Sequence, residues 1–359
     1  MWPDDRLTKL FGCAHPIVLA PMAGPGTVEL AIGVADAGGL GSFPCALVKP
    51  DDIRAAVRVF REHAGHPLNL NFFAHEQGNA SEAALERWRS VLSPYYSEFG
   101  IEIFPPSLSG GRQPFDESAC GLVEELRPEI VSFHFGLPQP KLIERVQRSG
   151  AKIIGNATTV REARYLEERG CSAIIAQGLE AGGHRGMFLS DEIGTQIGSL
   201  ALIPQVADAV AIPVIAAGGI ADERAIAAAF ALGAAGVQIG SAFLLCPEAK
   251  LSAAHKAALM AAEDDSTQLT NLFTGRPARG VMNRLMRDLG AVSSFAPPFP
   301  FAADALAPLR AKAEAAGLGD FSPLWAGQAA PLSAEMPAAE LTRKLAKGAL
   351  AVLSPRREK

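Results

Sequence analysis

The 359-residue chain has little of what marks several protein classes. It has five cysteines (Cys13, Cys45, Cys120, Cys171 and Cys246), widely separated and without a C-x-x-C pair. That spacing argues against a disulfide framework or a metal motif and reads as free thiols in a reducing, cytoplasmic setting. No apolar run approaches the roughly 18 residues a membrane helix needs. The longest, such as Ala209–Ala217, are broken by proline or glycine. The first residues, Met1-Trp2-Pro3-Asp4-Asp5, are acidic and lead into no apolar core, so no secretory signal is expected. A basic excess is missing too. Lys and Arg number 33 against 38 Asp and Glu, a net charge of −5, and nucleic acid is not an expected partner.

What the chain does have is a repeat. Short β-rich apolar segments alternate with amphipathic stretches. The segments are Pro16–Ala20, Gly39–Phe43, Leu68–Phe73, Ile130–Phe135, Lys152–Gly155, Ala173–Ala176, Pro213–Ala217 and Gly236–Ile239. Helices are expected between them, with Thr159 and Asp222 as N-caps. Strands this short and this uniformly apolar form a parallel sheet covered on both faces. Eight such units are the number that closes a TIM (β/α)8 barrel. A doubly wound open sheet would carry G-x-G-x-x-G after its first strand, and here Ala20-Pro21-Met22-Ala23-Gly24 follows instead. The expected division is a barrel over 1–245, with an insertion at about 74–116, and a helical cap or substrate region over 246–359. Within the insertion, Leu85, Trp88 and Leu92 make one helical stripe before Pro105-Pro106-Ser107. Residues 355–359 read as a frayed tail.

Chemistry concentrates at the expected strand ends. Gly218 and Gly219 follow the seventh apolar segment, and Gly240 and Ser241 follow the eighth. Loops after these two strands supply the anion site of phosphate-binding barrels. Glycine lets backbone N–H groups approach a phosphate closely, and Ser241 adds a hydroxyl. The sixth segment runs into Gln177-Gly178-Leu179-Glu180-Ala181-Gly182-Gly183-His184-Arg185-Gly186. The Gln177 amide suits a ring edge, being donor and acceptor together. His184 is presented at the barrel mouth, where an imidazole can exchange a proton near neutral pH. His134 ends a strand at the same rim and either lines the pocket or packs in the core. Phe72, Phe73, Phe133 and Phe135 carry the same two readings. Arg185 either orients a substrate anion or is a solvated loop side chain.

These motifs, in this order, resemble the nitronate monooxygenases, formerly called 2-nitropropane dioxygenases. The likeness rests on the Gln177–Gly186 loop, Ala216–Ile220, Gly236–Leu244, Pro21-Met22-Ala23-Gly24, Asn69-Leu70-Asn71, and Gly275-Arg276-Pro277-Ala278-Arg279-Gly280 with Asn283. It runs from about residue 15 to 285. The resemblance implies a non-covalent FMN, no metal, and His184 as the catalytic acid or base. It implies that Met22, Asn69 or Asn71, Gln177, Gly182, Gly218, Gly219, Gln238, Gly240 and Ser241 hold FMN. From their strand positions, His134 and Phe72 are expected in the substrate pocket. Arg276 and Arg279 would tie the cap to the barrel. The activity implied is oxidation of alkyl nitronates with O2 to carbonyl compounds and nitrite. The alternative is an FMN-dependent NAD(P)H reductase of the enoyl-acyl-carrier-protein or quinone type. A homodimer is one assembly the residues leave open.

Overall fold

The computed structural model describes residues 1–63, 65–102 and 112–354. The expected Pro105-Pro106-Ser107 turn and the expected tail at 355–359 lie outside these residues. The strands are β1 (Ile17–Leu19), β2 (Gly41–Pro44), β3 (Leu68–Phe73), β4 (Ile130–His134), β5 (Lys152–Ala157), β6 (Ala173–Gln177), β7 (Gly183–His184), β8 (Val214–Ala217), β9 (Gly236–Ile239), β10 (Thr267–Thr270) and β11 (Ala278–Val281). Eight of them form a parallel sheet in the order β1-β9-β8-β6-β5-β4-β3-β2. Its two ends meet through a parallel bridge between Val18 and Leu40. There the Leu19 N–H donates to Leu40 O at 3.0 Å, and the Leu40 N–H to Ile17 O at 2.9 Å. The sheet is thereby closed into the expected TIM barrel.

Successive side chains on a strand face opposite sides. On β3 this sends Leu68, Leu70 and Phe72 into the layer between sheet and helices, while Asn69 and Asn71 turn into the barrel. The short helix Arg6–Phe11 closes the N-terminal end, placing Leu7 and Phe11 against Val18, Leu40, Ile130, Ile154 and Ile215. Thr159 and Asp222 cap their helices as expected, accepting from the Glu162 N–H at 3.2 Å and the Ala225 N–H at 3.1 Å. With one end plugged by apolar side chains, the cavity opens at the C-terminal rim.

The described part of the expected cap, residues 246–354, differs from a purely helical one in two ways. β10 and β11 pair antiparallel, and β11 also pairs with β7, setting Ala278 opposite His184. Thr267–Thr270 and Ala278–Val281 are too short and too polar to read as strands before their distant partner is known. The final helix, Ala338–Leu353, packs between the helices Glu223–Ala231 and Val28–Asp36 and so completes the ring around the barrel. The insertion helix Glu82–Glu98 shares a core with this C-terminal region. Trp88, Leu92 and Tyr95 pack with Leu306, Leu309 and Phe321, and the Trp88 indole N–H donates to Ala302 O at 3.1 Å. Among the described residues, no helix is long and apolar enough to cross a membrane.

Candidate active site

The cavity at the C-terminal rim brings together most of the expected residues. Met22, Asn71, His134, Gln177, Gly182, His184, Gly218, Gly219, Gln238, Gly240 and Ser241 all line it. Two do not. Asn69 lies one layer deeper in the barrel, where its amide donates to Ser42 Oγ at 2.9 Å. Phe72 faces outward by strand alternation and packs on Phe115, ring centroids 5.1 Å apart. Its neighbour Phe73, of opposite phase, lines the cavity instead.

One side of the cavity is backbone. Gly218 and Gly219 have φ of +104° and +73°, the left-handed region that side chains resist. A Cβ on Gly218 would also stand 3.0 Å from Gly178 O and 3.1 Å from the Ala181 nitrogen. The N–H groups of Gly219 and Ile220 donate to no protein acceptor among the described residues. Ser241 Oγ accepts from the Gly327 N–H at 2.8 Å, which leaves its own proton to donate. Gln238 Oε1 is buried without a partner. A buried amide oxygen with no donor is expensive, so its place on the cavity wall fits a ligand that donates to it. These groups form a cradle suited to a phosphate and a hydrogen-bonding ring.

The other side is built from side chains around His184. The β7–β11 pairing holds its backbone, and the Arg185 N–H donates to Pro277 O at 2.8 Å. The His184 carbonyl accepts from Gln177 Nε2 at 3.1 Å and pairs with His134 Nε2 at 3.2 Å. Gln177 Oε1 accepts from the Gly186 N–H at 2.8 Å. The Gln177 amide thus brackets the loop from below, and one N–H and one lone pair remain for a ligand. His184 Nε2 lies 2.9 Å from Thr274 Oγ1. The rings of Trp325, Phe135, Phe299 and Phe73 surround the imidazole at centroid distances of 5.4, 5.8, 5.8 and 6.4 Å. Exclusion of water by this cage, then the charge of Arg112, with further contributions from the neighbouring His134 and from Arg276, holds the His184 pKa well below its ordinary value. The imidazole is therefore neutral at neutral pH. His134 is lowered to about 3, chiefly by burial and then by Arg276. Its Nδ1 accepts from the Asn156 amide at 3.1 Å, so its Nε2 carries the hydrogen donated to His184 O.

Arg185 follows neither of its two expected readings. It is fully buried and donates to Gln177 O and Gly178 O, both at 2.7 Å, and to Gln196 Oε1 at 2.9 Å, stapling the loop to the end of β6. Arg279 reaches from the cap to Leu179 O at 3.0 Å and Thr267 O at 3.2 Å, and Arg276 donates to Met187 O. Gly182 is required by the cap. A Cβ there would meet the Gly327 nitrogen at 2.5 Å. Sequence reasoning missed Arg112, Thr274, Phe299, Trp325 and Gly327. Thr274 directly precedes the Gly275–Gly280 motif, so a signal stood beside it. The others carry no local mark. Among the described residues no cluster of His, Cys, Asp and Glu could hold a metal.

Comparison with known proteins places this arrangement. The family model described as nitronate monooxygenase matches residues 4–348. The chain is 42% identical to a nitronate monooxygenase of Pseudomonas aeruginosa, over 95% of this chain and 98% of that protein. It is 40% identical to one of Paraburkholderia phytofirmans, over 94% and 93%. Its fold is similar to a nitroalkane oxidase of Streptomyces ansochromogenes, with a TM-score of 0.88, 37% identity, and coverage of 97% and 100%. FabK of Thermotoga maritima is similar at a TM-score of 0.76 and 28% identity, with 98% of each chain covered. With a closed barrel, a glycine cradle after β8 and β9 and a Gly-Gly-His loop facing it, this chain is an enzyme of the nitronate monooxygenase family.

Proposed function

We propose that the chain binds FMN at the rim cavity and oxidises alkyl nitronates with O2 to carbonyl compounds and nitrite. The observation that carries this reading is the meeting, in one cavity, of the glycine cradle and a neutral, aromatic-enclosed His184. Gly218, Gly219, Ile220, Gly240 and Ser241 would hold the FMN phosphate. Asn71, Gln177 and Gln238 would face its ring system, with Met22 against it. Bound there, FMN supplies acceptance of electrons from the nitronate and their passage to O2.

The chain's own residues prepare the substrate. Arg112 lines the cavity with its guanidinium 5.4 Å from the Phe299 ring, and Arg276 lies 4.1 Å over Phe135. Their charges favour an anion such as a nitronate over a cation. Phe73 and Trp325 exclude water and favour small alkyl groups. His184, unprotonated, takes a proton from a neutral nitroalkane, a step that a preformed nitronate does not need. Five unpaired cysteines fit a cytoplasmic enzyme.

The test is an anaerobic titration of purified, FMN-loaded protein, first with propyl-2-nitronate and then, separately, with NADH. Reduction by nitronate, and O2 uptake on adding it in air, is the expected result. Rapid bleaching by NADH with no response to nitronate would replace this reading with a pyridine-nucleotide reductase.

A further inference from the structure

The two nitrogens of His184 are not equivalent. Nε2 is engaged by Thr274 at 2.9 Å. Nδ1 has no protein partner among the described residues, yet it is not among the sealed, unpartnered buried atoms, and its residue lines the cavity. The reactive nitrogen of the imidazole is therefore Nδ1, and the state of Nε2 decides what Nδ1 can do.

Thr274 is almost fully buried, and its hydroxyl has three neighbours. Besides Nε2, these are the backbone N–H and the backbone carbonyl of Arg276, each 3.4 Å from Oγ1. A hydroxyl has one proton to give and two lone pairs to receive. If Nε2 carries hydrogen, every group is matched. Nε2–H donates to Oγ1, the hydroxyl donates to Arg276 O, and the second lone pair receives the Arg276 N–H. If the hydroxyl donates to Nε2 instead, Arg276 O loses this donor.

We infer that Thr274, reaching in from the cap, is a positioning residue that fixes His184 as the Nε2–H tautomer and so makes Nδ1 the proton acceptor. The step rests on the proposed nitroalkane and nitronate chemistry. The substrate Cα–H bond breaks, its electron pair moves into the nitro group to give the nitronate, and the proton forms a bond to Nδ1. Thr274 keeps accepting from Nε2–H throughout, so the imidazolium needs no rearrangement. A preformed nitronate bypasses this step.

The test uses FMN-loaded protein labelled with 15N-histidine, the His184 signals being assigned by their loss in His184→Asn. The expected spectrum has Nε2 of pyrrole type and Nδ1 of pyridine type. Thr274→Val should mix the two tautomers and lower kcat/KM for nitroethane about tenfold. It should leave FMN content unchanged and propyl-2-nitronate turnover within about twofold, and Thr274→Ser should restore both the spectrum and the rate. A pyrrole-type Nδ1, or equal loss on both substrates in Thr274→Val, would overturn the assignment. So would a parent enzyme that oxidises nitronate but no neutral nitroalkane, and that result would leave nitronate oxidation itself standing.

Discussion

The two walls of the rim cavity are made differently. The wall after β8 and β9 is backbone: Gly218 and Gly219 held at positive φ, N–H groups of Gly219 and Ile220 without a protein acceptor among the described residues, Gly240 and one serine hydroxyl. The opposite wall is side chains drawn from far apart in the chain, with Thr274, Phe299 and Trp325 arriving from beyond residue 270 to enclose His184. A backbone wall needs particular glycines and little else, so it binds a group common to many substrates. A side-chain wall sets what reacts, since it controls water, charge and the tautomer of one imidazole. Under the proposed function, holding the cofactor falls mainly to the first wall and choosing the chemistry to the second.

If that division holds, each wall should fail in its own way. His184→Ala should lower kcat/KM for nitroethane by about 10²–10⁴-fold while FMN stays bound, measured by steady-state rates and flavin absorbance on one preparation. Loss of flavin in that variant would break the separation. Gly218→Val should do the reverse. Left-handed strain of about 1–2 kcal/mol, added to the contact with Gly178 O, weakens FMN about tenfold or more, as read by flavin retained after gel filtration. Its circular dichroism should match that of the parent.

The tie between the C-terminal region and the His184 loop is the next target. Arg279→Met removes donors to Leu179 O and Thr267 O and should lower unfolding stability by about 1–3 kcal/mol in urea, with the cap affected first. The smallest effect is on pH dependence. His134 has a folded pKa of about 3 against the ordinary 6.5, so below pH 6.5 the unfolded chain takes up a proton that the folded chain refuses. Stability is complete above 6.5 and declines as pH falls toward 3. His134→Asn should remove about 1 kcal/mol of the difference between pH 7 and pH 5.5, seen as a flatter dependence of the urea midpoint. An unchanged slope would show that His134 is not held neutral by the fold.

Legibility followed the range of the interactions. The eight barrel strands, the caps Thr159 and Asp222, the glycine pairs and His184 all rest on patterns within about ten residues, and the structure places them where those patterns indicate. Asn69 and Phe72 were misassigned for a simple reason. Both sit on β3 beside a residue that does line the cavity. Alternation alone separates Phe72 from Phe73, and depth in the barrel separates Asn69 from Asn71. Arg185 looked solvated because a charged residue in a glycine loop usually is. Here the carbonyls at the end of β6 give it enough acceptors to be buried. Strands β10 and β11 are polar and short, and they exist because β7 is there to pair with.

By itself, then, the amino-acid order determined the barrel and marked the glycine pairs and His184 at its rim, because hydrophobic period and glycine conformations are local properties. The tertiary structure decided the rest. It brought Arg112, Thr274 and Trp325 to His184, removed water from the imidazole and engaged one ring nitrogen while leaving the other open to the cavity. Those outcomes depend on packing between segments far apart in the chain, as His184 and Thr274 are at ninety residues, and no short pattern records such contacts.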